Sequence, residues 1–174
     1  DYAEVRFEDA LAEEDDYDLL VMGRTQGKGC YCFVNGLLSA QVGKRAQNYK
    51  YIVVDNEAGM EHLSRGILPG VDAVILVSDC SRRGIQAVGR IARLIPECGL
   101  KPKKVGLIVN RAPGGVINDG VREEIEKQNL ELLGVVPQDE GVFDYDSAGT
   151  PTTQLPADNP VRQELYHILE GLGL

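Results

Sequence analysis

The sequence predicts an α/β fold, a mostly parallel sheet with helices on both faces. Short runs rich in valine, isoleucine and leucine recur along the chain, and stretches of helical spacing separate them. The runs are nearly continuous rather than alternating, as strands covered on both faces require. Each strand-and-helix repeat closes on glycine, proline or a small polar residue.

Tyr17 to Gly23 is a short apolar run ending in glycine, and reads as a strand. Phe33 to Ala46 has helical spacing, with Val34, Leu37, Leu38 and Val42 on one face. Tyr49 to Asp55 reads as a buried strand ending at an acid. Glu61 to Leu68 reads as a short helix stopped by Pro69-Gly70. Asp72 to Ser78 is a third strand, and Arg82 to Ile95 a helix closed by Pro96 and followed by Gly99. Lys104 to Asn110 is a fourth strand, Ile117 to Asn129 a helix, and Leu132 to Val136 a fifth strand ending at Pro137. Asn159 to Leu169 is the last helix, with Pro160 at its first position.

At 174 residues, 43% hydrophobic and 26% charged, the chain is sized for one globular domain. No apolar run approaches the ~18 residues that span a membrane. No leader pattern opens the chain, so the expected compartment is the cytoplasm. The net charge of −9 is uneven, with seven acids and no base between Glu8 and Asp18. That run reads as a solvated segment on a domain edge. The remainder is nearly neutral and lacks the basic stripe that nucleic acid demands. Of the four cysteines, Cys30 and Cys32 are too close for an ordinary structural bridge. The pattern favours free thiols or a metal site over a disulfide framework.

Ligands of such sheets sit at the carboxyl ends of the strands. The candidate site is therefore Arg24 to Cys32, Asp55 to Gly59, Ser78 to Arg83, Asn110-Arg111 and Pro137 to Glu140. A phosphate-binding loop of the form G-x-x-x-x-G-K-[ST] should accompany it. Gly23 to Lys28 is one residue short and puts Gly29 where the hydroxyl belongs; Gly43-Lys44-Arg45 lies in a helical stretch. The expectation is that the phosphate-loop strand precedes Asp1; the alternative is a domain that never bound nucleotide. A bare sheet edge would then favour aggregation or strand pairing.

Tyr51 to Gly59 has the form of a strand, a terminal acid and a glycine four residues on. An acid there can hold Mg²⁺ through its waters, and the glycine lets a backbone N–H approach a γ-phosphate. Hydrolysis would release that contact. Asp55 is equally readable as a loop residue or helix cap.

Asp55-x-Glu57-Ala58-Gly59-x-Glu61-His62-Leu63-x-Arg65-Gly66 resembles the switch II segment of CooC-type ATPases. These are maturation factors for nickel-containing carbon monoxide dehydrogenase, in the MinD/ParA-like branch of P-loop NTPases. Gly29-Cys30-Tyr31-Cys32 with Asn35, Val77-Ser78-Asp79 with Ser81-Arg82-Arg83-Gly84, Val109-Asn110-Arg111, and Gly134-Val135-Val136-Pro137 with Asp139 are similar to further segments of that family, in order. The resemblance runs from about Tyr17 to Thr150. It implies an ATP-dependent homodimer that delivers or inserts nickel. It assigns Asp55 to the catalytic Mg²⁺ and Gly59 to the γ-phosphate. Asn110 would bond the adenine edge, Arg111 would pack beside the base, and Pro137 to Asp139 would line the base and ribose end. Cys30 and Cys32 would ligate the metal. The family's two-lysine phosphate loop and its upstream water-orienting acid are not found in these residues, so the chain as it stands should not hydrolyse ATP. Cys80 occupies a slot where proline is expected.

Two thiolates from one chain cannot complete a four-coordinate site, but two chains about a two-fold axis supply four sulfurs, suiting Zn²⁺ or Ni²⁺. Residues two apart share a side only in extended backbone, so Cys30 to Cys32 should precede the helix. The plain alternative is two partly buried cysteines at a helix start. His62, Cys98 and His167 read as packing or surface residues, and Arg82-Arg83 as a phosphate contact, a dimer contact or a solvated pair. Competing functions are a MinD/ParA-like positioning ATPase, a binding module without turnover, and maturation of another nickel enzyme such as acetyl-CoA synthase. The Asn159–Leu174 tail has one arginine and no lysine, which suits a membrane surface poorly.

Overall fold

The computed structural model describes residues 2–21, 32–56 and 70–173. The chain forms two compact units, Asp1–Gly70 and Val71–Leu174.

The second unit carries the expected α/β pattern. Its strands are Ala73–Asp79, Lys104–Ala112 and Leu132–Pro137. We number them β3, β4 and β5, after two strands of the first unit. They form a parallel sheet in the order β3-β4-β5. Between them run α3 (Arg82–Glu97) and α4 (Asp119–Lys127), followed after β5 by α5 (Glu140–Ser147) and α6 (Pro160–Gly171). β4 is buried on both faces, from Gly106 to Val109. Leu107 and Val109 point with Leu76 into a core closed by Ile85 and Val88 of α3 and by Val121 and Ile125 of α4. Ile108 points the other way, against Val136 and Ile168 of α6. Burying side chains of this size stabilises by about 1.5–3 kcal/mol each. Gly134 lets α6 approach, since a Cβ there would lie 2.5 Å from Ile168.

Helix ends follow local chemistry. Ser81, Asn118, Asp139 and Asn159 cap the four helices with side-chain oxygens that accept first-turn N–H groups. Gly99 (φ 78°) ends α3, where Leu100 N–H donates to Ile95 O at 3.3 Å. The helix therefore runs past the expected stop at Pro96. A proline in the last turn removes one bond, and the left-handed glycine is what terminates the helix. Asn129 (φ 53°) ends α4 in the same way.

Among the described residues one charged side chain is wholly buried. Glu124 of α4 has a side chain 0% exposed. It accepts from Gln128 Nε2 at 2.8 Å and from Arg82 Nη2 at 3.3 Å. The spacing of Val121, Glu124 and Ile125 puts it on the buried stripe of α4.

In the first unit, α1 (Tyr2–Ala10) leads into an antiparallel hairpin of β1 (Leu11–Glu13) and β2 (Asp18–Leu20), and α2 spans Cys32–Arg45. Arg45 pairs with Glu8 and lies 5.1 Å over the Phe7 ring; Tyr49 donates to Asp18. Most of the acidic run is exposed, in keeping with a solvated segment. Two expectations are corrected. The strand expected over Tyr17 to Gly23 is confined, in the described residues, to Asp18–Leu20 and pairs antiparallel with β1. The buried strand expected over Tyr49 to Asp55 is not one: residues 51–56 have no strand hydrogen bonding and are exposed, Val53 at 90%. β-branched residues favour a strand only where a neighbouring strand completes the ladder, and no described strand pairs with these. The helix expected over Glu61 to Leu68 lies outside the described residues.

Among the described residues β3 pairs with β4 alone, and its Ile75 and Val77 are 38% and 57% exposed. Val77→Lys should lower self-association in sedimentation velocity while changing unfolding free energy by no more than about 0.5 kcal/mol. A second expectation concerns acid. The hydrogen bonds from Gln128 and Gln86, then Arg82, with Lys127 adding a weaker attraction, hold the Glu124 carboxyl below its ordinary range against the opposing effect of burial. A lowered folded pKa gives stability that is full above the unfolded value and is lost as pH falls through the folded one. Urea titrations from pH 7 to below the ordinary glutamate range should show this loss, and Glu124→Gln should flatten it.

Candidate functional site

Three strand ends meet on one edge of the second unit. Register sets Asp79 of β3 opposite Asn110 of β4, and Ala112 of β4 opposite Pro137 of β5. Between Val109 and Ala112 the β4–β5 ladder shifts, so that Asn110 and Arg111 together face Val136. Such a bulge redirects side chains at a strand end. Arg111 adopts φ 55°, and its N–H donates to Asn110 Oδ1 at 2.9 Å. This bond occupies one acceptor site on the Asn110 amide and leaves its Nδ2 group as donor toward a ligand. The turn Pro113–Gly115 follows, with Gly115 3.6 Å from Pro137 for an added Cβ. No atom lies within 4 Å of a Cβ built on Gly114, so space is open beside the turn.

Asp139 follows β5 by two residues. Its Oδ1 accepts from Val142 N–H at 2.9 Å and from Asn159 Nδ2 at 3.0 Å. Asn159 Oδ1 in turn accepts from Val161 and Arg162 N–H at 3.0 and 3.2 Å. One carboxylate therefore ties the start of α5 to the start of α6 across 20 residues. Arg162 reinforces the closure by donating to Leu155 O at 2.6 Å.

At the β3 end, Ser81 Oγ donates to Asp79 Oδ1 at 2.6 Å and accepts from Gly84 N–H at 3.0 Å. A Cβ on Gly84 would lie 2.2 Å from that carboxylate oxygen, so glycine is required for the acid to rest on the first turn of α3. Cys80 between them is partly buried, its thiol 3.9 Å from Val116 O.

The second unit thus brings together Asn110, Arg111, Pro137 and Asp139. Asp55 lies in the first unit, among the exposed residues 51–56. Gly59 and Cys30 lie outside the described residues. Cys32 lies within α2 rather than ahead of it, which corrects the expectation that the whole Cys-x-Cys precedes the helix. Among the described residues no group of three or more histidines, cysteines or acids could hold a metal. No described helix is long and apolar enough to cross a membrane. Sequence reasoning missed Glu124, although its i, i+3 and i+4 spacing with apolar neighbours was the available signal.

No protein-family model matches the chain. It is 36% identical over 174 residues to an uncharacterized ATP-binding protein of Methanocaldococcus jannaschii, covering 99% of this chain and 68% of that protein. It is 30% identical over 168 residues to the carbon monoxide dehydrogenase accessory protein CooC of Rhodospirillum rubrum, covering 87% of this chain and 56% of the relative. Among solved structures, the septum site-determining protein MinD from Pyrococcus horikoshii, complexed with Mg-ADP, superposes with a TM-score of 0.70 at 19% identity, covering 95% of this chain and 68% of that one. This last likeness establishes the fold.

The clasp between α5 and α6 generates a prediction. Asp139→Ala and Asn159→Ala should each cost about 1–2 kcal/mol in urea unfolding. Because they share one hydrogen-bonded pair, the double variant should cost less than the sum.

Proposed function

We propose that this chain, which belongs to the MinD/ParA-like family of ATP-binding P-loop NTPases, acts in ATP-dependent insertion of nickel into carbon monoxide dehydrogenase. The observation that carries this reading is the 30% identity with the accessory protein CooC along 87% of the chain, a span that includes the resemblance at Cys30-x-Cys32 and at Asp55 to Gly59. Maturation of another nickel enzyme, such as acetyl-CoA synthase, is the neighbouring reading. The fold shared with MinD favours the second reading, a positioning or scaffold ATPase.

The residues support a nucleotide at the carboxyl edge. The bulge presents the Asn110 amide as a donor for an acceptor nitrogen of the base, with Arg111 beside it and Pro137 and Asp139 shaping the ribose end. Asp55 is an exposed carboxylate, which fits a Mg²⁺ ion held through water molecules. Mg²⁺, when bound, neutralises charge on the phosphates. The Gly59 N–H is assigned to the γ-phosphate, so that its loss on hydrolysis frees the switch segment. Cys30 and Cys32 from two copies supply four thiolates for the metal cargo, and the nucleotide state governs whether the two copies hold together.

The test is Ni²⁺ and Zn²⁺ titration of the full-length protein and of Cys30→Ala/Cys32→Ala, with and without ATP. One metal per dimer, abolished in the double variant and altered by ATP, is expected. Binding indifferent to both cysteines would overturn the nickel reading and favour a MinD-like ATPase. In the same protein, Asn110→Ala should weaken ATP binding by about 1 kcal/mol in calorimetry.

A further inference from the structure

Glu124 is a burial the fold does not require. A carboxylate out of water is costly unless every acceptor is used, and apolar residues of similar size are often as stabilising. It shares the buried stripe of α4 with Val121 and Ile125. What a carboxylate does there and an apolar side chain cannot is direct a cation.

Arg82 is that cation. It is the first residue of α3, directly after the loop that leaves β3. Its stem passes Gly120, where an added Cβ would lie 3.7 Å from Arg82 Cδ. One end of its guanidinium, Nη2, reaches the buried Glu124 Oε2 at 3.3 Å. The arginine side chain nevertheless remains 59% exposed. Asp79, the last residue of β3, is engaged by Ser81. Arg82 thus has one end anchored in the protein and its remaining N–H groups available at the edge that carries Asn110. Glu124 is itself braced: Gln128, which donates to it, accepts from Arg93 at 2.8 Å.

We propose that Arg82 contacts the phosphates of a nucleotide bound at the carboxyl edge, and that Glu124 is the positioning residue that aims it. The inference rests on the nucleotide reading above and adds two residues to it. A guanidinium fixed at one end loses less side-chain freedom when it binds an anion, so the anchor contributes to affinity without touching the ligand.

The experiment measures affinity for ADP and for adenosine by calorimetry in the full-length protein, with Arg82→Ala, Glu124→Gln and the double variant. Folding is checked by circular dichroism at the same temperature. Arg82→Ala should weaken ADP about tenfold, Glu124→Gln by a similar or smaller factor, and the double variant no more than Arg82→Ala alone. Adenosine, which lacks phosphate, should bind equally to all four proteins. Equal losses for ADP and adenosine would mean that both residues act only through packing, and would overturn the proposal. So would additive losses, because Glu124 would then act independently of Arg82, and so would unchanged ADP affinity in both single variants. Wild-type protein that binds neither ligand would overturn the nucleotide reading and this inference together.

Discussion

The second unit depends on the double burial of β4. Leu107 and Val109 face one helical layer while Ile108 faces the other, and both layers therefore hang on one strand. α3 and α4 take their place because their apolar stripes close over the first face, and α6 because Gly134 and Val136 let it lie against the second. An edge strand could not organise two layers in this way. β3, with Ile75 and Val77 exposed, shows what a strand looks like when its second face has no cover among the described residues.

Fixing β4 also fixes the candidate site. Parallel pairing places every strand end on one edge, and the helices that follow must start there. Their caps are consequently neighbours of the candidate site residues. Ser81 serves both Asp79 and the first turn of α3, while Asp139 serves both α5 and Asn159. The bulge at Asn110-Arg111 breaks the ladder where pairing would otherwise hide these side chains. Polar groups at this edge are committed to structure on one side and open on the other, and the same holds for Arg82.

That division of labour bears on how a nucleotide would be read. The Asn110 amide has one acceptor site taken by its neighbour's N–H, so its contribution to a base is as a donor. Asp139 has one oxygen committed to two donors, so its influence on the ribose end comes chiefly through the geometry of the loops it ties. Membership of an ATP-binding family and a fold shared with MinD are in accord with this arrangement, while the metal cargo rests on the cysteine pair and the similarity to CooC.

The sequence by itself determined the three parallel strands of the second unit, three of its helices and the strand-end positions of Asn110, Arg111, Pro137 and Asp139. These were legible because near-continuous apolar runs, helical spacing and cap residues are local signals. α5 was not anticipated, because its Asp139 cap is followed by a short helix with no buried residue and hence no apolar stripe. The segment Tyr49 to Asp55 looked like a strand because β-branched composition is local, whereas a strand exists only through a partner elsewhere in the chain. Glu124 was passed over for the converse reason, since a glutamate in a helix reads as solvated until another helix covers it. Only the tertiary structure decided these points: a ladder, a bulge and a buried charge each depend on groups distant in sequence, and their energies appear only when those groups meet.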